Sequence, residues 1–286
     1  MKSNFLFVFM MFVAVCNSAH ADIEVKSQNG NSVVFSQPKH GDNIESDAWN
    51  KLTFSQNGKK IDLSRTDRYY TEDGSSEVSP SGNYLVVNSV AGDYLDSGDG
   101  AKQYVSKAYC SVIDMRNGCI VSDWDGEACG YQWAKGKDIL SSSDDNDADS
   151  FDFLSMKPAV RKIDGSYSTL KTMDANNLLR CDKVSSENIG DYQTLSKENK
   201  GVRQLVLTGV LDYINKLETS SSINVSKSYL YSSPDENSIT KAYLVAGDKV
   251  KVIQFSQSKK WVEVGYVSPK GKPLVKWVKF DDIKQS

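Results

Sequence analysis

Histidine is almost missing from this chain of 286 residues, which contains only His20 and His40. A Ser-His-Asp or Cys-His mechanism needs a histidine as its base. His20 lies in a segment that we expect to be removed, so His40 is the one candidate, and its setting in QPKHGDN predicts a surface turn. The chain also lacks a Gly-x-Ser-x-Gly elbow, a Walker loop and a Gly-x-Gly-x-x-Gly motif. We therefore expect a protein that is not an enzyme and binds no cofactor.

Long hydrophobic runs are also missing, except at the N-terminus. The segment MKSNFLFVFMMFVAVCNSAHA has a basic start at Lys2, an apolar run from Phe5 to Val15 and a small-x-small site at Ala19-His20-Ala21. This pattern is typical of a secretory signal peptide, and the run is too short to span a bilayer of about 30 Å. We predict a signal peptide over 1–21, with lipidation of Cys16 as the alternative. The mature protein is then periplasmic or secreted and does not span a membrane.

Four cysteines remain after that cleavage: Cys110, Cys119, Cys129 and Cys181. An even number in an exported protein predicts disulfides, and four cysteines allow three connectivities. We favour Cys119–Cys129 with Cys110–Cys181, because a hairpin signal at Asp125-Gly126 lies between the first two. Free structural thiols are the alternative. A zinc site is not expected, since no Cys-x-x-Cys spacing occurs and one histidine remains.

Charge is divided unevenly along the chain. The segment from Ser222 to Ser286 has 11 lysines and 6 acidic residues, whereas the part from Asp22 to Ser221 has 22 basic and 31 acidic residues. An acidic body carrying a basic tail indicates something about partners and nothing about fold. The tail could face an anionic cell wall, an acidic protein or the body of its own chain. Nucleic acid is not an expected partner outside the cytoplasm.

The acidic body, residues 22–195, is predicted to be a β-rich domain that contains the disulfides. Short segments such as SVVFSQ and NYLVVNSV alternate or run apolar, and Asn57-Gly58 predicts a hairpin between LTFS and KIDL. We expect a small twisted sheet or a sandwich. The next segment, 196–221, is predicted to be a connecting amphipathic helix of about five turns that ends at the serines Ser220–Ser222. Its apolar residues recur at helical spacing: Val202, Leu205, Val206, Val210, Tyr213, Ile214 and Leu217.

Residues 222–286 contain four characteristic sequence segments in a definite order. These are YLYSSPDE, AYLVAGDKVKVI, KKWVEVGYV and VKWV, with a turn at Gly247-Asp248. In this order they resemble the bacterial SH3-like domain of exported proteins. The resemblance implies a small β-barrel that binds a partner, often a peptidoglycan stem peptide. On this interpretation Val250 and Val252 point inward, and Trp261 and Trp277 supply the core and its rim.

The fold expected for the whole chain is therefore mainly β, with a disulfide-containing N-terminal domain, a connecting helix and a C-terminal SH3-like β-barrel. Aromatic clusters form the peptide grooves of SH3 recognition. The candidate binding residues are Tyr229, Tyr231, Tyr243, Lys259, Lys260, Trp261 and Tyr266, with Trp277 as a further aromatic.

The leading prediction for function is an exported binding protein that recognises a protein or a peptidoglycan peptide through this tail. One alternative is a periplasmic inhibitor or immunity protein that neutralises a secreted toxin or hydrolase with its acidic body. Another is a cell-wall hydrolase with an unrecognised site. The sequence does not indicate an oligomeric state.

Overall fold

The structure is a computed structural model. It describes residues 22–41, 44, 47–72, 77–96, 98, 102–125, 130–142, 149–160 and 170–284. The predicted signal peptide, with Cys16, and Cys129 lie outside these residues. Within them the protein is mainly β, as predicted, with three α-helices.

The elements follow one another from a strand-rich body through the helices to a second group of strands. The strands of the body are β1 Ile23–Lys26, β2 Ser32–Pro38, β3 Ala48–Gln56, β4 Lys59–Asp62, β5 Tyr69–Thr71, β6 Tyr84–Asp96, β7 Lys102–Asp114, β8 Cys119–Asp125, β9 Gln132–Trp133, β10 Leu140–Ser141 and β11 Ser150–Phe151. The helices are α1 Thr172–Cys181, α2 Ile189–Glu198 and α3 Arg203–Lys216. The strands of the tail are β12 Ser220–Ser222, β13 Ser228–Tyr231, β14 Ile239–Leu244, β15 Lys249–Phe255, β16 Trp261–Val267 and β17 Pro273–Lys279.

The body is an antiparallel sheet in the order β1-β2-β3-β5-β6-β7-β8, with β4 paired to β3. The predicted hairpin at Asn57-Gly58 is confirmed, because it joins β3 to β4 with φ of 49° and 75° at the two turn residues. A tight hairpin turn of this type needs a positive φ at both positions, which asparagine and glycine tolerate best.

Both faces of the central strands are buried. On β6, Leu85 and Val87 enter one core with Phe35, Trp49 and other side chains of β2 and β3. Tyr84 and Val86 point the opposite way, into a second core that a small sheet of β9, β10 and β11 helps to cover. Successive side chains of a strand point to opposite faces, so an unbroken apolar run such as YLVV requires cover on both.

The predicted connecting helix is confirmed as α3, although it is shorter than expected at 14 residues. Val206, Val210 and Ile214 form its buried stripe. The segment predicted to be one helix also contains the end of α2, and α1 lies inside the region predicted to be a β-rich domain. The three helices share one core, in which Val275 of β17 also takes part.

The predicted disulfide pairing is wrong. Cys119 is bonded to Cys181, with 4.9 Å between the Cα atoms, so neither Cys119–Cys129 nor Cys110–Cys181 forms. Cys119 stands at the start of β8, opposite Asp114, whereas Asp125 is the last residue of that strand. The last residue of α1 lies beside the start of β8 instead. Cys110 is disulfide-bonded as well.

The tail is an open six-stranded sheet in the order β12-β15-β16-β17-β13-β14. The prediction of a closed barrel is therefore wrong. The serines that were predicted to end the helix form β12, which pairs with Lys249–Lys251 of β15. This edge strand has three residues, and a short edge strand is one way in which proteins limit edge-to-edge pairing.

The core of the tail contains Val250, Val262, Val264 and Val278, with Val252 packed partly buried against it. Trp277 was expected in this core, but it is half-buried and lies outside it. The opposite face of the sheet receives α3. An added Cβ at Gly265 of β16 would lie 2.8 Å from Ile214 of α3, so glycine is what permits this close approach.

Candidate functional site

The lysines and the tryptophan of the KKW segment lie in a surface groove of about 560 Å³. We call it the KKW groove. Three parts of the chain build it: the loop after β13, the β15–β16 turn with the start of β16, and the end of β17. Its lining residues are Pro234, Asp235, Glu236, Lys259, Lys260, Trp261, Lys279, Phe280 and Asp281.

The β15–β16 turn presents the two lysines. The backbone N–H of Lys259 donates to the carbonyl of Ser256 at 2.9 Å, and Lys259 adopts a φ of +55°. The carbonyl of Lys260 accepts from the backbone N–H of Phe280 at 2.9 Å, which fixes the turn against the chain that follows β17. Both lysine side chains are exposed. In the described part of the chain neither makes an ion pair or a side-chain hydrogen bond.

Trp261 is almost buried at the wall of the groove. Its ring meets that of Tyr231 edge-to-face, with 4.6 Å between the ring centroids. Trp261 is 7% exposed and lines the groove, whereas Tyr231, which is 4% exposed, does not line it. Phe280 continues the groove toward the exposed Phe255, whose ring lies 5.9 Å from it.

Lys279 is the register partner of Trp261 on the neighbouring strand. Its Nζ lies 6.0 Å from the centroid of the Trp261 ring and 2.8 Å from Oε1 of Glu236. The hydrogen bond to Glu236 raises the pKa of Lys279. Lys279 is thus paired, and Lys259 and Lys260 are the cations of the groove that a ligand can use.

Carboxylates share the groove with these lysines. Asp235 accepts hydrogen bonds from the backbone and the side chain of Asn237, so it shapes its own loop. Glu236 is paired with Lys279, and Asp281 lines the groove with no ion-pair partner among the described residues. The groove is therefore mixed in charge, although the tail as a whole is basic.

The other predicted aromatics do not join the groove. Tyr229 and Tyr243 are exposed and form a separate pair, with 6.4 Å between ring centroids. The Nζ of Lys227 lies 4.6 Å and 4.3 Å from these two rings, and its hydrogen bond to Tyr229 raises the pKa of Lys227. Tyr266 is partly buried against the core of the tail. The structure thus brings together Lys259, Lys260 and Trp261, with Tyr231 packed against Trp261, and separates Tyr229, Tyr243 and Tyr266 from them.

Sequence reasoning missed Glu236, Lys279 and Phe280 as groove residues, and Lys227 beside the tyrosine pair. Lys279 reaches the groove because β17 pairs with β16 so that it lies opposite Trp261. That register depends on how two strands align, and a slip of one residue would place Lys279 on the other face. The alternation of apolar and lysine residues in the segment VKWVKF was the sequence signal that could have placed Lys279 on one face of a strand.

The described residues contain no group of three or more His, Cys, Asp or Glu side chains that could hold a metal ion. His40, the candidate catalytic histidine, is exposed just after β2. No helix in the described ranges is long and apolar enough to cross a membrane. Comparison with protein-family models, curated proteins and solved structures gives no match to this chain.

Proposed function

We propose that this protein is an exported, non-catalytic binding protein that recognises a peptide, either of a protein or of the cell wall, in the KKW groove. One observation carries the proposal. Two lysines that are unpaired among the described residues, a buried tryptophan and a partly buried phenylalanine converge in a groove of about 560 Å³. Aromatic side chains beside charged groups are the composition with which proteins bind extended peptides.

The charges of the groove indicate the kind of peptide. Lys259 and Lys260 offer ammonium groups, and Asp281 offers a carboxylate. A peptide that carries both charge signs, such as a cell-wall stem peptide, can be paired at both ends. A purely anionic polymer would meet the carboxylates of the same groove, and like charges brought together lower affinity.

The proposal includes the compartment in which the protein acts, outside the cytoplasm. The N-terminal segment has the pattern of a secretory signal peptide. The Cys119–Cys181 disulfide fits an oxidising compartment, because such bonds persist mainly outside the cytosol. The order of motifs in the tail still resembles the bacterial SH3-like domain, here with an open sheet.

Two assays run side by side separate the two kinds of partner. The mature protein is sedimented with whole peptidoglycan, and it is used as bait in a periplasmic extract. We expect saturable binding in at least one assay. If peptidoglycan and a periplasmic protein both bind at the groove, each should compete with the other. No binding in either assay would contradict the proposal.

A second candidate function, inhibition of a secreted toxin or hydrolase, has one observation in its favour. Strands β6 and β7 pair along 13 residues each, and their outer parts, 91–96 and 102–107, extend beyond the neighbouring strands β5 and β8. This hairpin arm exposes Tyr94, Leu95 and Val105. An isolated pair of strands is marginally stable in water, so a partner that covers the arm would stabilise it.

The double variant Leu95→Ser with Val105→Ser tests this second function. If the arm is the binding element, a protein captured from the periplasm is lost with this variant and kept with changes in the KKW groove. The opposite result assigns the captured partner to the groove.

A further inference from the structure

A second cleft, which no residue of the tail lines, lies between the body sheet and α1. It has a volume of about 470 Å³. One wall is the segment from Ile61 to Arg65, another is Ile120 of β8, and the third is α1. The residues from α1 are Met173, Asp174, Asn176, Asn177 and Arg180. We call it the Arg180 cleft.

Most charges around this cleft are already paired. Arg65 lies 3.0 Å from a carboxylate oxygen of Asp123 and 3.2 Å from one of Asp174. Arg68 adds a contact of 2.8 Å to Asp123. Two guanidinium groups and two carboxylates thus balance one another. Asp62 accepts from the backbone N–H and the hydroxyl of Ser64, and it is 3.9 Å from Lys51 Nζ.

Arg180 is the exception. Its Nε donates to the carbonyl of Gly118 at 3.0 Å, and one Nη donates to Oδ1 of Asn177 at 3.3 Å. A guanidinium has five N–H donors, so three remain. In the described structure no carboxylate lies within ion-pair distance of Arg180. Burial lowers the pKa of Arg180.

A half-buried cation with no counter-ion costs free energy, and an anion that pairs with it regains that cost. Of the two donors that Arg180 uses, Nε holds α1 against the β7–β8 turn, and the Nη donor bonds to Asn177 of the same helix. The remaining donors belong to a planar fork, and a carboxylate is the anion whose two oxygens match such a fork. The apolar part of the wall is formed by Ile61, Leu63, Ile120 and Met173.

We propose that the Arg180 cleft binds a small monocarboxylate that carries an apolar substituent, with the carboxylate on Arg180 and the substituent against the apolar wall. The cleft is of the size that small-molecule sites have, about 300–1,000 Å³. Asp62 also lines it, and its charge disfavours anions of higher charge such as phosphate. This site is independent of the peptide groove in the tail.

The test uses the full mature chain and N-acetyl-leucine as the probe, with acetate and inorganic phosphate for comparison. Calorimetric titration should show N-acetyl-leucine binding more tightly than acetate, because acetate lacks the apolar substituent, and no binding of phosphate. The amide of N-acetyl-leucine, which has no carboxylate, should not bind. An N-acetylated dipeptide with a free C-terminal leucine distinguishes a peptide terminus from a free acid as the source of the carboxylate.

Arg180→Gln should weaken the binding of N-acetyl-leucine about 10- to 100-fold, which is the range for losing a hydrogen-bonded charged partner. Lys171→Gln removes the same charge just before α1, outside the cleft, and should leave binding unchanged. Because Arg180 also bonds to Gly118, the variant's fold is checked by circular dichroism. If that fold is lost, the ¹⁵N resonance of Arg180 Nε in the wild-type protein decides, since it should shift on titration with N-acetyl-leucine.

Three results would overturn the proposal. The first is no detectable binding of N-acetyl-leucine to the wild-type protein at about 10 mM. The second is equal binding by a folded Arg180→Gln variant. The third is binding that leaves the Arg180 resonance in place.

Discussion

At the scale of single residues, the same side-chain type has different roles at different places in the fold. Lys279 is paired with Glu236, whereas Lys259 and Lys260 are exposed and unpaired within the described chain. Arg65 is shared between two carboxylates, whereas Arg180 meets none among the described residues. A count of charges in the sequence cannot separate these cases, because pairing depends on contacts between residues far apart in the chain.

The Cys119–Cys181 bond gives a prediction at this scale. It closes a loop with a sequence separation of 62 residues, for which the chain-entropy model gives about 4 kcal/mol of stabilisation. The double variant Cys119→Ser with Cys181→Ser should lose stability of that order in urea unfolding. Peptide mapping without reductant should yield a fragment that joins Cys119 to Cys181. A fragment that joins Cys119 to Cys129 would contradict the structure.

Glu263 gives a second prediction. It is 9% exposed on β16, and its Oε2 accepts from Gln254 Nε2 at 2.8 Å. Burial raises the pKa of Glu263 above the ordinary 4.5, although Gln254 and Lys276 act in the opposite direction. The folded state then holds its proton more tightly than the unfolded state. Stability from this group is present below pH 4.5 and is lost as the pH rises through the raised pKa of the folded state.

Glu263→Gln should therefore remove a pH-dependent penalty. Relative to the wild type, the variant should gain stability as the pH rises from 4 through the weakly acidic range, measured by urea unfolding at each pH. Glu218→Gln, an exposed site at the end of the helical segment, is the matched control. A difference between Glu263→Gln and wild type that is independent of pH would show that Glu263 titrates alike in both states.

At the scale of elements, local sequence patterns correctly predicted the features that depend on neighbouring residues alone. Asn57-Gly58 predicted its hairpin because the turn needs a positive φ at adjacent residues. The spacing of Val206, Val210 and Ile214 predicted α3 because one stripe of that helix is buried. Lys259, Lys260 and Trp261 are adjacent in sequence, so their joint place in a groove followed from a single turn.

The rest depended on contacts that the sequence does not display. Helix α1 reads TMDANNLLRC, and its polar residues serve long-range contacts: Asn177 exchanges hydrogen bonds of 2.8 Å and 2.9 Å with the backbone of Ile120. The helix takes the place of a further strand along β8. The pairing of Cys181 with Cys119 follows from that docking, so it could not be read from cysteine spacing.

Docking of α3 on the tail sheet gives the prediction at this scale. A Cβ at Gly265 would lie 2.8 Å from Ile214, and overpacking of a core costs about 1–3 kcal/mol. Gly265→Ala should destabilise the protein by that amount in chemical unfolding. Gly190→Ala, at the start of α2, meets no atom within 4 Å and should be neutral or stabilising by about 0.4–1 kcal/mol. Equal stability of the two variants would contradict the close contact.

At the scale of the whole molecule, the helices connect the two sheets. Helix α1 is tied to β8 of the body by a disulfide, and α3 packs on β16 of the tail, next to the strand that carries Lys279. Val275 of β17 belongs to the core of the helices and not to that of the tail. Successive residues of a strand alternate between faces, so Trp261 and Lys279 share the face of Gly265 and Val275, and the KKW groove lies beyond the part of that face which the helices cover.

Charge reversal in that groove tests the account most directly. Lys259→Glu with Lys260→Glu is compared with Lys270→Glu with Lys272→Glu, which makes the same change in the exposed β16–β17 turn outside the groove. Binding to whole peptidoglycan and capture of periplasmic proteins are measured for both variants at low and high salt. We predict that the groove variant loses about tenfold or more in affinity for the partner, that the control keeps it, and that salt weakens the wild type. Equal binding by the two variants, independent of salt, would contradict recognition through the KKW groove.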